Sequence, residues 1–294
     1  MKPYVTVAIP FYNAEKYLAD AIRSIMVQSY KNWELILIDD GSSDGSLSIA
    51  QSIVDPRVRV IHDGKNKKLA ARLNEVARLA KYDYLVRMDA DDLIATDRIE
   101  RQMDILLADE TLDLVTTGVV SITDELEYIG HRGQNALCPT LHQLITKEIG
   151  VTHAAIVGRK SWFLRNPYDE SLKVAQDFSL WISAAAKGDF NIKIIETPLY
   201  YYREEGNVSA VKMLKAYKYE RKIILKYIYG SQKIKLWIKA TLKSMLVTIL
   251  SAFGLMYLLL QKRATIKSDV NVINRLNADV LSIRNIKLII KSES

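Results

Sequence analysis

The chain of 294 residues has a single cysteine, Cys138. One thiol excludes an internal disulfide framework, so the sequence indicates a reducing compartment, which by default is the cytoplasm. We expect Cys138 to be a small buried apolar residue. A long apolar segment is also absent at the start, where Met1-Lys2-Pro3 runs directly into a predicted strand. We therefore expect no signal peptide.

Acidic residues are scarce in the last part of the chain. Residues 212–294 contain 17 Lys and Arg but 4 Asp and Glu, a net charge of +13, whereas residues 1–211 have a net charge of −6. Within residues 212–243, lysines are interleaved with aromatic and aliphatic residues at helical spacing, which is typical of a helix that binds an anionic membrane surface. An ordinary amphipathic helix packed on the preceding domain is the alternative. The many apolar residues argue against binding of nucleic acid.

A long transmembrane run is lacking as well. The uncharged residues 244–261 number 18, which is close to the lower limit for crossing a bilayer. Basic residues flank both ends, and Ser244, Thr248 and Ser251 form a small polar stripe at helical spacing. We expect a helix that lies in the membrane interface or packs on its neighbours rather than one that crosses the bilayer. Residues 266–291 give no functional signal.

The first hundred residues alternate predicted strands and helices. Strands are predicted at residues 5–9, 35–38, 58–61 and 84–88, with helical spacing between them. Asn13 is a plausible N-cap of the first helix. The alternation predicts an α/β fold with a mostly parallel, nucleotide-binding sheet and helices on both faces, in which ligands bind beyond the carboxyl ends of the strands.

Three carboxylates, Asp89, Asp91 and Asp92, follow the fourth predicted strand. Crowded carboxylates at the end of a buried strand repel one another unless a cation or hydrogen-bond donors compensate their charge. Magnesium or manganese binds carboxylate and phosphate oxygens, so a metal–diphosphate site is one interpretation. Solvated acids at the start of a helix are the other.

A second acidic segment, residues 39–45, follows the second predicted strand. It lacks the distal glutamate and the helix pair of an EF-hand, which disfavours a calcium loop. We expect Asp40 to accept a hydrogen bond from a nucleobase N–H, which would help to select uracil or thymine. The alternative, an Asx turn that caps the next helix, accounts for Asp44 better than for Asp39 and Asp40.

These motifs resemble those of family 2 glycosyltransferases, which have the GT-A fold. The matching stretches are Pro10-Phe11-Tyr12-Asn13, Gln28-Ser29-Tyr30, Asp39-Asp40-Gly41-Ser42-Ser43-Asp44 and Arg87-Met88-Asp89-Ala90-Asp91-Asp92. Thr152-His153, Ala175-Gln176-Asp177-Phe178-Ser179-Leu180-Trp181 and Leu199-Tyr200-Tyr201-Tyr202-Arg203 are similar to the family's acceptor-side motifs and to the end of its domain. The resemblance covers residues 3–210.

The resemblance implies inverting transfer of a sugar from a nucleoside diphosphate donor. It implies Asp40 near the base, Asp89 near the ribose, Asp91 on a divalent metal ion (Mn or Mg), and Asp177 as the base that deprotonates the acceptor hydroxyl. The other donor-binding residues that we predict are Pro10, Tyr12, Asn13, Asp39 and Ala90.

For five further residues the sequence either leaves two interpretations open or indicates only a general role. Lys68 either meets the diphosphate or belongs to a solvated loop. His153 either contacts donor sugar or acceptor or is a satisfied polar residue near the core, and Trp181 is expected in the core rather than as a sugar platform. Gln176 stands where the family commonly has Glu. Asp92 and Gln176 are possible contacts of the acceptor or the donor sugar.

We therefore predict a metal-dependent inverting glycosyltransferase on the cytoplasmic face of the cell membrane. Residues 1–210 would form the catalytic domain and residues 211–294 a helical, membrane-associating extension. The expected donor is a UDP-sugar, and the expected acceptor is a glycan or a polyprenyl-pyrophosphate-linked saccharide in surface polysaccharide biosynthesis. One alternative is a sugar nucleotidyltransferase, which normally has a glycine-rich phosphate loop that residues 10–14 lack. The other is a non-catalytic membrane-bound member of the fold.

Overall fold

The computed structural model describes residues 2–204, 210–228, 230–255 and 268–290. Within these ranges the strands are β1 (Val5–Phe11), β2 (Trp33–Asp39), β3 (Val58–Ile61), β4 (Tyr84–Arg87), β5 (Leu93–Ile94), β6 (Leu114–Ile122), β7 (Tyr128–Arg132), β8 (Ala136–Leu137), β9 (Val157–Arg159) and β10 (Ile192–Arg203). The α-helices there are α1 (Leu18–Met26), α2 (Ser46–Ser52), α3 (Lys68–Leu79), α4 (Arg98–Ala108), α5 (Leu141–Thr146), α6 (Lys160–Arg165), α7 (Gln176–Ala186), α8 (Ala210–Tyr227), α9 (Ser231–Ala252) and α10 (Val270–Asn285). A short 3₁₀ helix spans His153–Ala155.

The strands form one sheet in the order β3-β2-β1-β4-β9-β6-β10-β5, with β7 paired to β6 and β8 paired to β10. Strands β1 to β4 are mutually parallel, β9 runs antiparallel between β4 and β6, and β6 is parallel to β10. The predicted α/β class with a mostly parallel sheet is confirmed. The carboxyl ends of β1, β2 and β4 therefore meet at one edge of the sheet.

Strand β1 shows why the centre of the sheet is apolar. All seven of its residues are buried, as are all seven of β2, since helices cover both faces of a parallel sheet. The strand continues through Pro10 to Phe11, two residues beyond the predicted end. Pairing with β4 ends at Ala8, so the missing N–H of Pro10 removes no hydrogen bond on that side.

Two local predictions were wrong. Asn13 does not cap α1, which begins at Leu18; Asn13 instead has φ 50° and accepts a hydrogen bond from the Ser43 N–H (2.8 Å). Its amide therefore joins the loops that follow β1 and β2. Cys138 is exposed rather than buried, because it follows β8, a two-residue strand at the margin of the sheet.

Helices α8 and α9 belong to the basic and apolar part of the chain, where the sequence predicted helices. Ile223 and Ile224 of α8 and Ala240 of α9 join the apolar cluster that contains Trp162 and Trp181. Among the described residues, none of the helices combines the length and the apolar character needed to cross a bilayer. Part of the uncharged stretch 244–261 lies outside the described residues.

Helix α10 gives a structure to the segment for which the sequence suggested no role. Its residues Leu276, Val280 and Ile283 pack in an apolar cluster with Leu93 and Tyr201. Two polar contacts add to this packing, since Asp279 accepts hydrogen bonds from the hydroxyls of Thr96 (2.7 Å) and Tyr201. The helix therefore covers the edge of the sheet where β5 pairs with β10.

Candidate active site

The acidic cluster lies in the turn between β4 and β5. One carboxylate oxygen from each of Asp89, Asp91 and Asp92 lies within 4.8 Å of the others. Burial, followed by the charge of Asp89, raises the pKa of Asp91 to about 6. Burial and the charges of Asp91 and Asp89 also raise the pKa of Asp92 well above its usual value. The three groups thus repel one another, and a cation between them would relieve that repulsion.

Asp92 is completely buried and is held by two residues at the end of β10. The Tyr200 hydroxyl donates to Asp92 Oδ2 (2.7 Å), and the Arg203 backbone N–H donates to Asp92 Oδ1 (2.9 Å). The same Tyr200 hydroxyl accepts a hydrogen bond from the Asp89 N–H (3.1 Å). These contacts orient the turn, so Asp92 supports the acidic cluster from its buried side.

The donor set suits a hard divalent cation. Oxygen ligands at this spacing match magnesium or manganese, which need one or two protein carboxylates when a diphosphate supplies further oxygens. Asp89 also accepts a hydrogen bond from Arg87 Nη2 (2.6 Å). Arg87 balances one negative charge of the cluster, and the remaining negative charge would suit a divalent cation held there.

The loop after β2 is organised by Asp40. Its carboxylate accepts hydrogen bonds from the backbone N–H groups of Lys67 (2.7 Å) and Lys68 (3.1 Å) and from Arg72 Nε (3.0 Å). Arg72 is fully buried and also contacts Asp63 and Glu75. The carboxylate of Asp40, which we predicted to face the nucleobase, therefore already accepts hydrogen bonds from the protein. A nucleobase N–H would be an additional donor to it.

Asp39, the neighbour of Asp40, points to a different set of donors. It is buried and contacts the Ser42 N–H (3.0 Å) and His62 Nδ1 (2.7 Å). Burial opposes ionisation of Asp39, but the hydrogen bonds from Ser42 and His62 outweigh it and lower the pKa of the carboxyl. Asp39 is thus a charged anchor of its loop.

Tyr12 and Lys68 approach each other beside this loop. Tyr12 is exposed, and the Lys68 ammonium lies 6.0 Å from the centre of its ring. Lys68 has φ 74°, because its N–H must turn toward Asp40. Tyr12 and Asn13 directly follow β1, the strand that contains Pro10. Together with Lys68 they lie at the carboxyl edge of the sheet.

Asp177 lies in the first turn of α7, as predicted. It lines a cavity of about 840 Å³ together with Arg87, Asp89, His153 and Gln176. The acidic residue predicted as the base and the first residue of the acidic cluster therefore face the same space. Ala175, before the helix, has φ 59° and turns the chain sharply into α7.

Aromatic residues form the wall behind Asp177. His153 Nε2 hydrogen-bonds the Tyr168 hydroxyl (2.7 Å), and its ring lies 5.6 Å from that of Trp181. Burial and the nearby Arg87 lower the pKa of His153 well below its usual value, so the ring is neutral at neutral pH. Trp181 is 4% exposed, so it belongs to the core as expected while also forming part of a cavity wall.

Several residues of the site were not identified from the sequence. The sequence places Tyr200 and Arg203 only in a stretch similar to the end of the family's domain, and it does not single out Arg72 or His62. No local pattern marks these contacts, because the site carboxylates Asp92, Asp40 and Asp39 lie 23 or more residues away from them in the chain. A buried Arg within the apolar stripe of α3 was the one available signal, since Arg is rarely buried without a partner.

Comparisons with known proteins show which family this chain resembles by sequence. The family described as Glycosyl transferase family 2 matches residues 6–172. A putative glycosyltransferase, EpsE, of Bacillus subtilis (strain 168) is 35% identical over 213 residues, which are 70% of this chain and 74% of EpsE. The putative teichuronic acid biosynthesis glycosyltransferase TuaG of the same organism is 34% identical over 108 residues, 36% of this chain and 43% of TuaG.

Solved structures share the fold at low sequence identity. The mannosyltransferase PcManGT of Pyrobaculum calidifontis, in complex with GDP-Man and Mn²⁺, has a TM-score of 0.57 at 17% identity and covers 97% of this chain and 86% of its own. TarS of S. aureus, residues 1–349 in complex with UDP, has a TM-score of 0.56 at 17% identity, covering 81% of this chain and 70% of its own.

Proposed function

We propose that this protein, which belongs to glycosyl transferase family 2, moves a sugar from a UDP-sugar to a saccharide acceptor with inversion at the anomeric carbon. The observation that carries the proposal is the shared cavity, because Asp177 and Asp89 line it together. A carboxylate that lines the same cavity as a residue of the acidic cluster suits direct displacement, in which the hydroxyl attacks opposite the leaving group.

Each group has one task in this reaction. A divalent ion held by Asp91 would supply neutralising charge to the nucleoside diphosphate leaving group, while Asp89 lies near the ribose. Asp177, in the first turn of α7, accepts the proton of the attacking hydroxyl. His153 is neutral and hydrogen-bonded to Tyr168, so it orients sugar hydroxyls without adding charge to the site.

Two substitutions separate donor binding from transfer. Asp91→Asn is expected to abolish Mn²⁺-dependent UDP binding measured by calorimetry. Asp177→Asn is expected to leave that binding unchanged and to lower transfer by about 10²–10⁴-fold, the usual contribution of a general base. Normal transfer by Asp177→Asn would place the base elsewhere, and release of pyrophosphate instead of UDP would indicate nucleotidyl transfer.

The donor nucleotide is proposed from Asp40 and from the neighbours. A carboxylate near the base selects a nucleobase with an N–H donor, which uracil provides. TarS is described with UDP and PcManGT with GDP-Man, so the two neighbours differ in nucleotide. A thermal-shift screen of UDP-, GDP- and dTDP-sugars with Mn²⁺ tests the assignment, because a bound donor raises the melting temperature. Stabilisation by GDP-sugars alone would overturn it.

A lipid-linked saccharide in surface polysaccharide synthesis is the proposed acceptor. The name of TuaG, which refers to teichuronic acid biosynthesis, supports a polysaccharide pathway. The outward face of α9 supports a membrane location, since Ile234, Ile238, Leu242, Met245 and Ile249 are exposed at spacings of four, four, three and four residues. Such spacing forms one continuous stripe on a helix.

Lysines flank this apolar stripe. Lys235, Lys239 and Lys243 follow one another at four-residue intervals, whereas Ala240 and Val247 are buried on the inward side of α9. An apolar face bordered by lysines suits a helix that lies in the plane of an anionic cytoplasmic leaflet. A second copy of the chain would bring like charges together, which disfavours a homodimer through this face.

Vesicle binding tests the membrane proposal. Leu242→Ser should weaken sedimentation with vesicles of phosphatidylglycerol and phosphatidylcholine by about tenfold, because one large apolar side chain no longer enters the membrane interface. Leu281→Ser, at an exposed position of α10, is the matched control and should bind like the wild type. Point variants are preferable to deletion of residues 212–294, because α8 and α9 contribute to the apolar core. Equal binding of both variants would refute the assignment of α9.

A further inference from the structure

A second cavity adjoins the proposed base and has no role in the reaction described above. Its volume is about 370 Å³, within the range of roughly 300–1,000 Å³ that is typical of small-molecule sites. It shares Lys147, Gly150, Val151 and Asp177 with the larger cavity. The two spaces therefore meet at the carboxylate that is proposed to receive the acceptor proton.

The wall of this second cavity is mainly apolar. Its apolar lining residues include Leu144, Ile149, Val151, Phe178, Trp181 and Ala216. They come from α5, the chain after it, α7 and α8, so the basic C-terminal part of the chain forms one side of the cavity. Apolar walls beside a polar reaction centre favour a ligand that is itself amphipathic.

The one basic residue among the described lining residues of this cavity is paired with a carboxylate. Lys147 Nζ lies 2.7 Å from Glu220 Oε2 and 5.3 Å from the centre of the Phe178 ring. Asp177 adds a further carboxylate, so the described lining offers no unpaired cation to attract a phosphate or a carboxylate. The indole N–H of Trp181, a 4% exposed side chain of the wall, has no acceptor among the described residues.

We propose that the second cavity binds an apolar aglycone of the acceptor, attached within about one sugar residue of the attacking hydroxyl. The inference rests on the proposed function, because it takes Asp177 as the base. The position of the cavity sets the length of the acceptor: an apolar group separated from the hydroxyl by a long saccharide would not reach a pocket that touches Asp177. The preferred acceptor is therefore short, with the sugar at Asp177 and the apolar chain directed between α5, α7 and α8.

Matched acceptor analogues test the proposal. Methyl and octyl β-glycosides of the same sugar, taken from a panel of glucose, galactose and their N-acetyl forms, are titrated by calorimetry below micellar concentration into the full chain with UDP and Mn²⁺. The octyl member of at least one pair should bind about tenfold or more tightly than the methyl member, since burial of two methylene groups is enough for that gain. Equal affinities in every pair overturn the proposal.

A larger side chain in the second cavity tests whether the preference for the octyl glycoside arises there. Ala216→Phe on α8 should reduce octyl glycoside binding to the level of the methyl glycoside and leave UDP–Mn²⁺ binding unchanged. Val211→Phe, at an exposed position of the same helix, should keep the preference. If Ala216→Phe fails to fold, Ala216→Leu is measured in the same way. A preference that survives the folded Ala216 variant places the apolar contact elsewhere, for example on α9, and overturns the pocket.

The same experiment separates failure of this inference from failure of the transferase assignment. A wild-type chain that binds UDP with Mn²⁺ but does not discriminate between the glycosides remains a candidate transferase without an aglycone pocket. A chain that does not bind UDP with Mn²⁺ contradicts the proposed donor site itself.

Discussion

Tyr200→Phe removes one hydroxyl from beneath the acidic cluster without changing the size of the side chain appreciably. That hydroxyl donates to Asp92 (2.7 Å) and accepts from the Asp89 N–H (3.1 Å), and the residue is fully buried. A hydrogen bond to a charged group contributes about 1.5–3 kcal/mol, and a buried N–H without an acceptor costs about 1–3 kcal/mol. We expect a loss of about 2–4 kcal/mol in the free energy of unfolding, since some relaxation offsets the sum.

The variant should also weaken the metal site. Residues that orient the ligands of a metal typically change its affinity by about 10–100-fold when they are replaced. Mn²⁺ binding measured by calorimetry with UDP present should therefore fall by that factor. Urea denaturation without metal gives the stability change separately.

Tyr201→Phe is the matched control. Tyr201 is also buried, and its hydroxyl also donates to a carboxylate, that of Asp279 on α10. It should lose a similar amount of stability but bind Mn²⁺ like the wild type, because its hydroxyl contacts Asp279 on α10 and not a residue of the acidic cluster. If both variants lose the same metal affinity, the effect is global destabilisation and the role assigned to Tyr200 is refuted.

Two further predictions concern charge. Burial and the charge of Asp89 raise the pKa of Asp91 to about 6. Because a protonated carboxyl does not bind metal, Mn²⁺ affinity should be about tenfold weaker at pH 5 than at pH 7. Equal Mn²⁺ affinities at the two pH values, measured by calorimetry, would contradict this. Arg72→Met should cost about 3–5 kcal/mol in urea denaturation, because Asp40, Asp63 and Glu75 lose the buried cation that they share. Arg78→Met, at an exposed position of the same helix, should cost little, and equal losses would show that the Arg72 contacts are not what stabilises this loop.

Much of the fold was predictable because local patterns report local structure. Alternating apolar runs and helical spacing located β1 to β4 and the helices between them, and parallel strands of that kind require cover on both faces. The predictions for Asn13 and Cys138 failed for a related reason. A cap or a buried position depends on what lies next to the residue in space, and in both cases the neighbours come from other strands and loops.

The candidate site was partly predictable in the same sense. Asp89, Asp91 and Asp92 are close together in the chain, so their crowding is evident in the sequence alone. The contacts of Asp92 are not, since Tyr200 and Arg203 lie 108 and 111 residues away in the chain. Those contacts exist because the end of β10 pairs with β5, the strand that directly follows the acidic turn.

By itself the sequence determined the α/β alternation, the acidic turn after β4, the basic and apolar C-terminal part and the similarity to a family of glycosyltransferases. Periodicity and composition encode these features within short windows of the chain. Only the tertiary structure brought Asp177 to the cavity of Asp89, placed Tyr200 beneath the acidic turn and formed an apolar pocket between α5, α7 and α8. Such contacts join distant residues, and the order of strands in the sheet, which no local pattern specifies, decides which of them meet.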